Sequence, residues 1–388
     1  MKLTDEEQAI LTGKQGEALK LALLTLVRYG ESFGADCLAP IASAHLAGSF
    51  AVIMYKTYYR ALKMMKQEGL RVKVLTTVNP WPAEAPSSLV NRLVFSRQRF
   101  LDEHLAALGV TRNWSCVCYD RENIPAKGAI VAWAESSAVQ FANSALGART
   151  NRNSVMIDLC SAVLGKTPRF GYLLDENRRA SVLVKVAAKK PDVSALGFVL
   201  GQKLVGKVPI IEHLDLSRDD LKNLGAAMAA AGGVALFHVE GVTPEAPTLK
   251  DALQGKEPEE IIAVTDADLN GLRSWQGKKI DLVIYGCPQL TLAEALAIGE
   301  HYVGARVTTP VIFCVIPRVK EELKATPLYS KLLEAGVQIK AECPLAAWTV
   351  QLPPRKRILV NSGKCYYYLE GAEYGTTEDC LEMSGVKT

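Results

Sequence analysis

Residues 114–152 decide how the rest of the chain is interpreted, and they read WSCVCYDRENIPAKGAIVAWAESSAVQFANSALGARTNR. The stretch begins with two cysteines, which are soft metal ligands, and continues through an apolar segment at residues 129–133. Three polar residues, Glu135, Ser136 and Ser137, follow where a buried core would favour none. The stretch ends in side chains that bind anions, namely Arg149, Thr150, Asn151 and Arg152. Because polar groups between apolar segments usually serve a function, we interpret the stretch as one wall of an active site.

The same stretch resembles the signature of the aconitase X family, of the large-subunit or catalytic-domain type. The matching segments are Cys116-x-x-Tyr119, Asn123-Ile124-Pro125, Gly128, Ala132-Trp133-Ala134-Glu135-Ser136-Ser137-Ala138, Ala142-Asn143-Ser144 and Leu146-Gly147-Ala148-Arg149-Thr150-Asn151-Arg152. Outside it, the similar segments are Ser43-Ala44-His45, Thr76-Thr77-x-Asn79, Asp175-Glu176-Asn177-Arg178, residues 240–246 and Asn361-Ser362-Gly363-Lys364. The resemblance implies an α/β fold: an aconitase-like catalytic core of three stacked α/β subdomains with mainly parallel sheets, lacking the swivelling lid domain.

Composition and charge limit the functional classes. The 388 residues are 49% hydrophobic and 22% charged, which is typical of a soluble globular protein. Lys and Arg number 45 against 41 acidic residues, and no basic run suggests a nucleic-acid partner. No apolar run reaches the roughly 18 residues of a membrane span, and the N-terminus lacks a secretion signal. We therefore expect a cytoplasmic protein without a membrane or nucleic-acid partner.

The order of elements supports the α/β class independently of the resemblance. From residue 182 onward, β-rich apolar runs alternate with helical patterns, which predicts parallel sheets covered by helices. The most linker-like piece is residues 251–260, where a break between subdomains is expected. Otherwise residues 1–388 are interpreted as one aconitase X catalytic region with several subdomains.

Polar residues follow two predicted strands near the N-terminus. The first strand, residues 38–46, is expected to end in a polar tip at Ser43 and His45, and the second ends at Asn79. Ligands of open α/β sheets collect beyond the carboxyl ends of the strands, so these three residues are predicted to contact substrate. A lone histidine in this position is, however, more often a satisfied core residue.

Nine widely scattered cysteines favour thiols or metal ligands over a disulfide framework. Cys116, Cys287 and Cys343 stand out, since the last two follow predicted strands and precede prolines. Their spacing alone argues against an iron–sulfur site because no CxxC pair exists. The resemblance nevertheless implies that these three bind an iron–sulfur cluster, [4Fe–4S] or [2Fe–2S]. Cys118 is interpreted as a spare thiol; Cys160 and Cys314, in apolar surroundings, fit buried hydrophobic residues.

The resemblance implies a hydro-lyase in which iron acts as a Lewis acid on a hydroxyl that leaves as water. Arg149, Arg152, Ser362 and Lys364 would hold a small anionic hydroxy acid. The lid domain, and with it the general base, is expected on a separate small subunit. On this chain, His45, Glu135, Ser136 and Ser137 are the local alternatives for acid–base work.

Two substrates follow from the resemblance, cis-3-hydroxy-L-proline and mevalonate 5-phosphate. We favour the hydroxyproline at this stage because the sequence lacks an additional basic cluster for a phosphate. An alternative of another class is a non-catalytic iron–sulfur or anion-binding protein that kept the fold. The family usually has proline at the position of Cys118, and this difference supports the alternative.

Overall fold

The computed structural model describes residues 1–50, 54–81, 97–348 and 356–386. The chain forms two compact units. The first comprises Met1–Pro80 and Pro86–Arg179, and the second comprises Trp81–Ala85 and Ala180–Thr388. Among the described residues, no helix combines the length and the hydrophobicity that a bilayer crossing requires.

The first unit is built on a three-stranded parallel sheet. Its helices are Asp5–Leu11, Glu17–Ser32, Lys56–Gln67, Gln98–Ala107, Ser136–Ser144 and Val155–Leu164, with short 3₁₀ turns at Cys118–Asp120, Gly171–Leu173 and Asp175–Arg178. Its strands are β1 (Leu38–Pro40), β2 (Ser43–Leu46), β3 (Leu75–Val78), β4 (Val131–Trp133) and β5 (Lys166–Pro168). The parallel sheet has the order β3-β2-β4, while β1 and β5 pair antiparallel to each other. The sequence pattern predicts one long helix over residues 87–108; the described part contains the helix Gln98–Ala107, and the rest of the prediction lies outside the described residues.

A line of buried polar groups connects two helices of this unit. The Tyr29 hydroxyl donates to Asn153 Oδ1 at 3.0 Å, and Asn153 Nδ2 donates to Asp158 Oδ1 at 3.2 Å. Asp158 is completely buried, and neither its Oδ2 nor the hydroxyl of Ser161 has a hydrogen-bond partner. Because a buried carboxylate loses its hydration, burial raises the pKa of Asp158 well above its ordinary value.

Asp158 makes the stability of the protein depend on pH. The folded chain keeps this proton where the unfolded chain releases it, so stability should fall as pH rises above about 4, the ordinary aspartate value. We expect Asp158→Asn, which has no proton to lose, to melt at a higher temperature than wild type at pH 7, by about 2–4 °C for each kcal/mol gained. The difference should shrink at pH 4. Thermal melts at both pH values test this, with the exposed Asp215→Asn as control; equal differences at both pH values would contradict it.

The second unit contains two larger parallel sheets. Its helices are Val193–Leu204, Arg218–Gly232, Leu249–Ala252, Asp266–Asn270, Leu292–Glu300, Pro317–Lys324, Pro327–Ala335, Pro344–Trp348, Gly363–Tyr368 and Thr377–Met383. Its strands are β6 (Val182–Val186), β7 (Pro209–Ile211), β8 (His238–Val239), β9 (Glu260–Val264), β10 (Leu282–Leu290), β11 (Val311–Val315), β12 (Val337–Lys340), β13 (Ile358–Val360) and β14 (Ala372–Tyr374). The strand orders are β8-β7-β6-β9 and β12-β11-β10-β13-β14.

The predicted α/β class with mainly parallel sheets is therefore confirmed. The sequence interpretation missed β9, which begins where the linker-like residues 251–260 end. This strand pairs only with β6 and leaves Glu260 and Ile261 exposed, so it lacks the continuous apolar run that identifies a buried strand.

Glycines let two helices of the second unit pack with their backbones in contact. A Cβ added to Gly232 would lie 1.8 Å from the carbonyl oxygen of Gly201, and one added to Gly197 would lie 2.2 Å from that of Leu224. Gly363 packs on the same helix pair, since its added Cβ would lie 2.9 Å from the carbonyl oxygen of Ser194. These contacts fix where the segment after β13, which carries Ser362 and Lys364, lies in the unit.

Candidate active site

In the first unit, polar side chains collect at the carboxyl edge of the sheet β3-β2-β4. His45 lies in the central strand β2, in register with Thr77 of β3 and Trp133 of β4. Asn79 directly follows β3, and Glu135 follows β4 by two positions. The structure thus brings together His45, Asn79 and Glu135 as the sequence predicts for strand ends of a parallel sheet.

A directed chain of hydrogen bonds runs through this edge. Asn123 Nδ2 donates to Thr77 Oγ1 at 3.1 Å, and Thr77 Oγ1 lies 2.8 Å from His45 Nδ1. His45 Nε2 lies 2.7 Å from Asn79 Oδ1. Since an amide oxygen only accepts, Nε2 carries the proton, and Nδ1 accepts from the Thr77 hydroxyl. The chain therefore holds the half-buried Asn79 amide with its nitrogen available as a donor.

Burial keeps the His45 ring neutral. Its ring is completely buried, and burial lowers the pKa of His45 to about 4, although the Glu135 carboxylate and the Asn79 hydrogen bond act in the opposite direction. At neutral pH the imidazole is uncharged, with both nitrogens engaged. The geometry favours a role in orienting Asn79 over the acid–base work that the sequence left open.

Glu135 serves as the N-cap of the helix Ser136–Ser144. Its Oε2 accepts from the Ala138 backbone N–H at 2.6 Å and from the Ser137 hydroxyl at 2.6 Å, while the Ser136 hydroxyl donates to Oε1 at 3.3 Å. The negative charge also complements the positive helix end. Glu135, Ser136 and Ser137, which are alternatives for acid–base work from the sequence, thus stabilise one another and the start of the helix.

Removal of the cap should destabilise the first unit. We expect Glu135→Ala to lower the free energy of unfolding by about 1–2 kcal/mol, since the Ala138 N–H and the Ser137 hydroxyl lose their acceptor. Glu135→Gln keeps an acceptor oxygen and should cost less. Chemical denaturation measures both, with the exposed Glu334→Ala as a matched control. An equal effect of the alanine and glutamine variants would show that the cap is not the cause.

The anion-binding segment predicted at residues 149–152 is largely engaged within the protein. Arg149 forms an ion pair with Asp175 and donates to the Leu173 carbonyl at 3.0 Å. The side chains of Thr150 and Asn151 bond to neighbouring backbone: Thr150 Oγ1 accepts from Trp133 N, and Asn151 binds Phe170 O and Tyr172 N. Arg152 alone is exposed. Arg149, Thr150 and Asn151 thus position the loop, and anion binding by the segment stays a prediction.

Ser43 also differs from its predicted position. Residues 38–46 form two strands, β1 and β2, so Ser43 begins β2 at the amino edge of the sheet rather than ending a strand. It is buried, and its hydroxyl oxygen accepts from the Trp133 indole N–H at 3.2 Å.

Cys116 and Cys118 lie near the same edge. Both are buried, and burial, followed by the nearby Glu135 carboxylate, raises the pKa of Cys118 well above its usual range. Cys116 is among the groups that act on Cys118, so the two thiols are neighbours. All nine cysteines are free thiols.

In the second unit, two of the predicted ligands meet at the carboxyl edge of another sheet. Cys287 lies near the end of β10, Cys314 near the end of β11, and Cys343 three residues after β12. These strands are neighbours in the order β12-β11-β10. Burial, with additional effects of Glu342, Cys343 and Cys287, raises the pKa of Cys314 well above its usual range. Cys314, interpreted from sequence as a buried hydrophobic residue, thus lies between the two predicted ligands.

The segment after β13 supports the backbone of Cys287. The Ser362 hydroxyl donates to the Cys287 carbonyl and accepts from the Cys365 N–H at 3.0 Å. The Gly363 N–H donates to Ser194 Oγ at 2.7 Å instead of remaining available for an anion. Lys364 is buried with 5% of its surface exposed, so it is not a solvated surface lysine.

A cavity of about 470 Å³ opens at this point of the second unit. Its lining includes Ser194, Cys287, Asn361 and Ser362, and also the carboxylates of Asp192, Asp219, Asp220 and Glu294. Ser194 was not predicted, because its segment reads only as a helix start. Across residues 1–50, 54–81, 97–348 and 356–386, no group of three His, Cys, Asp or Glu side chains is arranged to hold a metal ion. The predicted set takes Cys116 from the first unit and the other two cysteines from the second.

Comparison with known proteins assigns the chain to a family. Models of the aconitase X first, second and third domains match residues 1–176, 180–274 and 280–385. The chain belongs to the aconitase X family. The crystal structure of Thermococcus kodakaraensis aconitase X in its holo-form matches with a TM-score of 0.87 and 34% identity, covering 100% of both chains.

Curated members of the aconitase X family carry two names. A phosphomevalonate dehydratase large subunit of Thermococcus kodakarensis is 37% identical to this chain, and the match covers 98% of each of the two chains. One of Methanosarcina mazei is 35% identical, over 99% of this chain and 97% of its own length. A cis-3-hydroxy-L-proline dehydratase of Pseudomonas aeruginosa is 31% identical over 94% of this chain but 66% of its own length. All are dehydratases, so the predicted class of hydro-lyase is confirmed for this aconitase X protein.

Proposed function

We propose that this chain is the large subunit of a two-subunit dehydratase that acts on mevalonate 5-phosphate. The observation that carries the proposal is similarity: two phosphomevalonate dehydratase large subunits are 37% and 35% identical to this chain, against 31% and 30% for the two hydroxyproline dehydratases. Because the more similar relatives are named large subunits, we place the lid domain on a separate small subunit.

This choice of substrate departs from the preference drawn from sequence. That preference depended on the lack of an additional basic cluster, whereas a phosphate needs only a few donors when they are well placed. Arg152 is exposed, and the buried Lys364 lies two positions after Ser362, which lines the cavity beside Cys287. Forked and ammonium donors of this kind suit a substrate with a carboxylate and a phosphate. cis-3-Hydroxy-L-proline remains the second candidate, since similarity over 94% and 99% of this chain extends to enzymes of that name.

The thiols fit an iron–sulfur cluster as donors. Cys287 and Cys343 lie at one sheet edge near a third thiol, Cys314, and Cys116 lies beside Cys118 near the polar edge of the first unit. We propose that Cys116, Cys287 and Cys343 would hold the cluster, leaving Cys118 and Cys314 as neighbouring protonated thiols. When bound, such a group supplies a Lewis acid for a leaving hydroxyl.

The residues of this chain would then bind and orient the substrate. Asn79, held by His45, presents an amide N–H to an oxygen that gains negative charge as the hydroxyl leaves. Water loss breaks the C–O bond and the adjacent C–H bond and forms C=C, so a base must take the proton. Because the ring of His45 and the carboxylate of Glu135 are both engaged, we assign this base to the small subunit.

Substrate comparison tests the proposal. The chain is purified anaerobically with its small subunit, and initial rates are measured with mevalonate 5-phosphate, with mevalonate and with cis-3-hydroxy-L-proline. We expect kcat/KM for mevalonate 5-phosphate to exceed both others by at least about 100-fold. Mevalonate lacks the phosphate, and cis-3-hydroxy-L-proline lacks both the phosphate and the open chain that carries it. A preference for the hydroxyproline would select the second candidate. A bound cluster with no turnover of any substrate would leave the non-catalytic alternative.

A further inference from the structure

Two adjoining surface cavities lie on the helix Lys56–Gln67 of the first unit. The first, of about 410 Å³, is a largely apolar groove that also reaches residues of the helices Glu17–Ser32 and Val155–Leu164. Its apolar lining includes Leu21, Ala22, Ala61, Met64, Met65 and Met156. Leu21 is 40% exposed, and Met64 and Met156 are only half-buried. The groove therefore leaves adaptable apolar side chains in contact with water.

The second cavity, of about 390 Å³, is cationic. It is lined by Lys56, Tyr59, Arg60, Lys63, Arg97 and Phe100. Lys56, Arg60 and Lys63 lie four and three positions apart, so they share one face of their helix. Arg97 lies 5.6 Å above the Tyr59 ring, which orients its guanidinium. Among the residues that the structure describes, no carboxylate lines either cavity and none of the four cations forms an ion pair.

Arg60 lines both cavities and so joins the apolar groove to the cationic one. Four cations without an acidic neighbour repel one another, and a dianion among them would relieve that repulsion. A ligand that covers Leu21 and the two methionines removes their apolar surface from water, which favours binding. Together the cavities fall within the 300–1,000 Å³ that is usual for small-molecule sites. An amphiphile with a charged head and an aliphatic tail meets both requirements at once.

We propose that these cavities form one binding site for an aliphatic phosphate. The phosphate lies among Arg60, Lys63, Lys56 and Arg97, and the chain lies along Leu21, Met64 and Met156. None of these residues belongs to the candidate active site, so this site is a second one. It stands on the geometry of the first unit alone and does not depend on the proposed substrate.

Binding is measured by calorimetry on the full chain with octyl, decyl and dodecyl phosphate below their critical micelle concentrations. We expect saturable binding of one molecule per chain, with a Kd that falls by up to about fourfold per added methylene. Inorganic phosphate and dodecanol alone should each bind at least tenfold more weakly than dodecyl phosphate. Vesicles of phosphatidic acid in phosphatidylcholine distinguish a free amphiphile from a membrane surface.

Matched variants locate the site. Arg60→Glu combined with Lys63→Glu should raise the Kd for dodecyl phosphate at least tenfold. Lys66→Glu, which alters another exposed lysine of the same helix, should leave that Kd unchanged. Ala61→Phe, which fills the groove, should weaken the longer phosphates more than inorganic phosphate. Circular dichroism and melting confirm that each variant is folded.

Three results would overturn the proposal: no saturable binding by folded wild type, a Kd independent of chain length, or equal loss in the Lys66→Glu variant. Binding to anionic vesicles without binding of the free phosphates would likewise overturn it in favour of a membrane surface. Because no active-site residue is altered, dehydratase turnover by the variants separates this outcome from failure of the proposed function.

Discussion

Replacement of Cys287 by serine should remove the cluster and lower dehydratase activity by at least about 100-fold. The thiolate is the soft donor that iron–sulfur clusters require, and a serine hydroxyl is a harder and much weaker ligand. The Cys287 carbonyl accepts from the Ser362 hydroxyl, and its strand lies in the same sheet as the strand that precedes Cys343. Iron and acid-labile sulfide, measured on anaerobically purified protein, report the loss directly.

The same assay on Cys116→Ser and Cys343→Ser asks whether all three thiols are ligands. The matched control is Cys37→Ser, which alters a half-buried free thiol outside the ligand set. We expect each of the three variants to lose iron while Cys37→Ser keeps it. If Cys116→Ser kept its iron and Cys118→Ser lost it, the ligand in the first unit would be Cys118. Full iron content in Cys287→Ser would remove the second unit from the site.

Replacement of Asn79 by alanine should lower kcat/KM by about 10²–10³. Its amide nitrogen is the donor that the His45 chain presents, and removal of one donor to a developing negative charge typically has an effect of this size. The substitution also leaves the His45 Nε2–H buried without its acceptor. Kinetics with saturating and limiting substrate separate the effect on kcat from the effect on KM, with the exposed Asn270→Ala as control.

A double-mutant cycle tests whether His45 acts through Asn79. We expect His45→Gln to lower kcat/KM less than Asn79→Ala, and the double variant to be no worse than Asn79→Ala alone, since the two residues form one unit. Additive effects would mean that His45 contacts the substrate independently. The pH–rate profile of wild type should show no titration of His45 near pH 6.5, because burial lowers the pKa of His45 to about 4.

Local patterns predicted the sheet edges well. Polar residues after apolar strands placed His45 and Asn79 together, and the alternation of strands and helices predicted the parallel sheets of the second unit. Cys287 and Cys343 were identified because glycine or proline interrupts the backbone beside them at the ends of strands. These features depend on short-range sequence and on the rule that parallel strands end at one edge.

What the sequence did not predict depends on long-range partners. Arg149 pairs with Asp175, 26 positions away, so its role in the loop is invisible in its own segment. Ser43 was misplaced because β1 turns away to pair with β5, more than a hundred residues later. The N-cap role of Glu135 was not predicted because glutamate is an unusual N-cap, and it becomes visible only through the bonds from Ser137 and Ala138.

The most direct test of the account is whether the chain and its small subunit together remove water from mevalonate 5-phosphate. The reconstituted protein is incubated with the substrate without oxygen, and ¹H NMR follows the olefinic signal of the dehydrated product. The account predicts that this signal appears with matching loss of substrate, that it requires both subunits, and that it is absent with Cys287→Ser. A fully iron-loaded wild-type complex that leaves the substrate unchanged would contradict it.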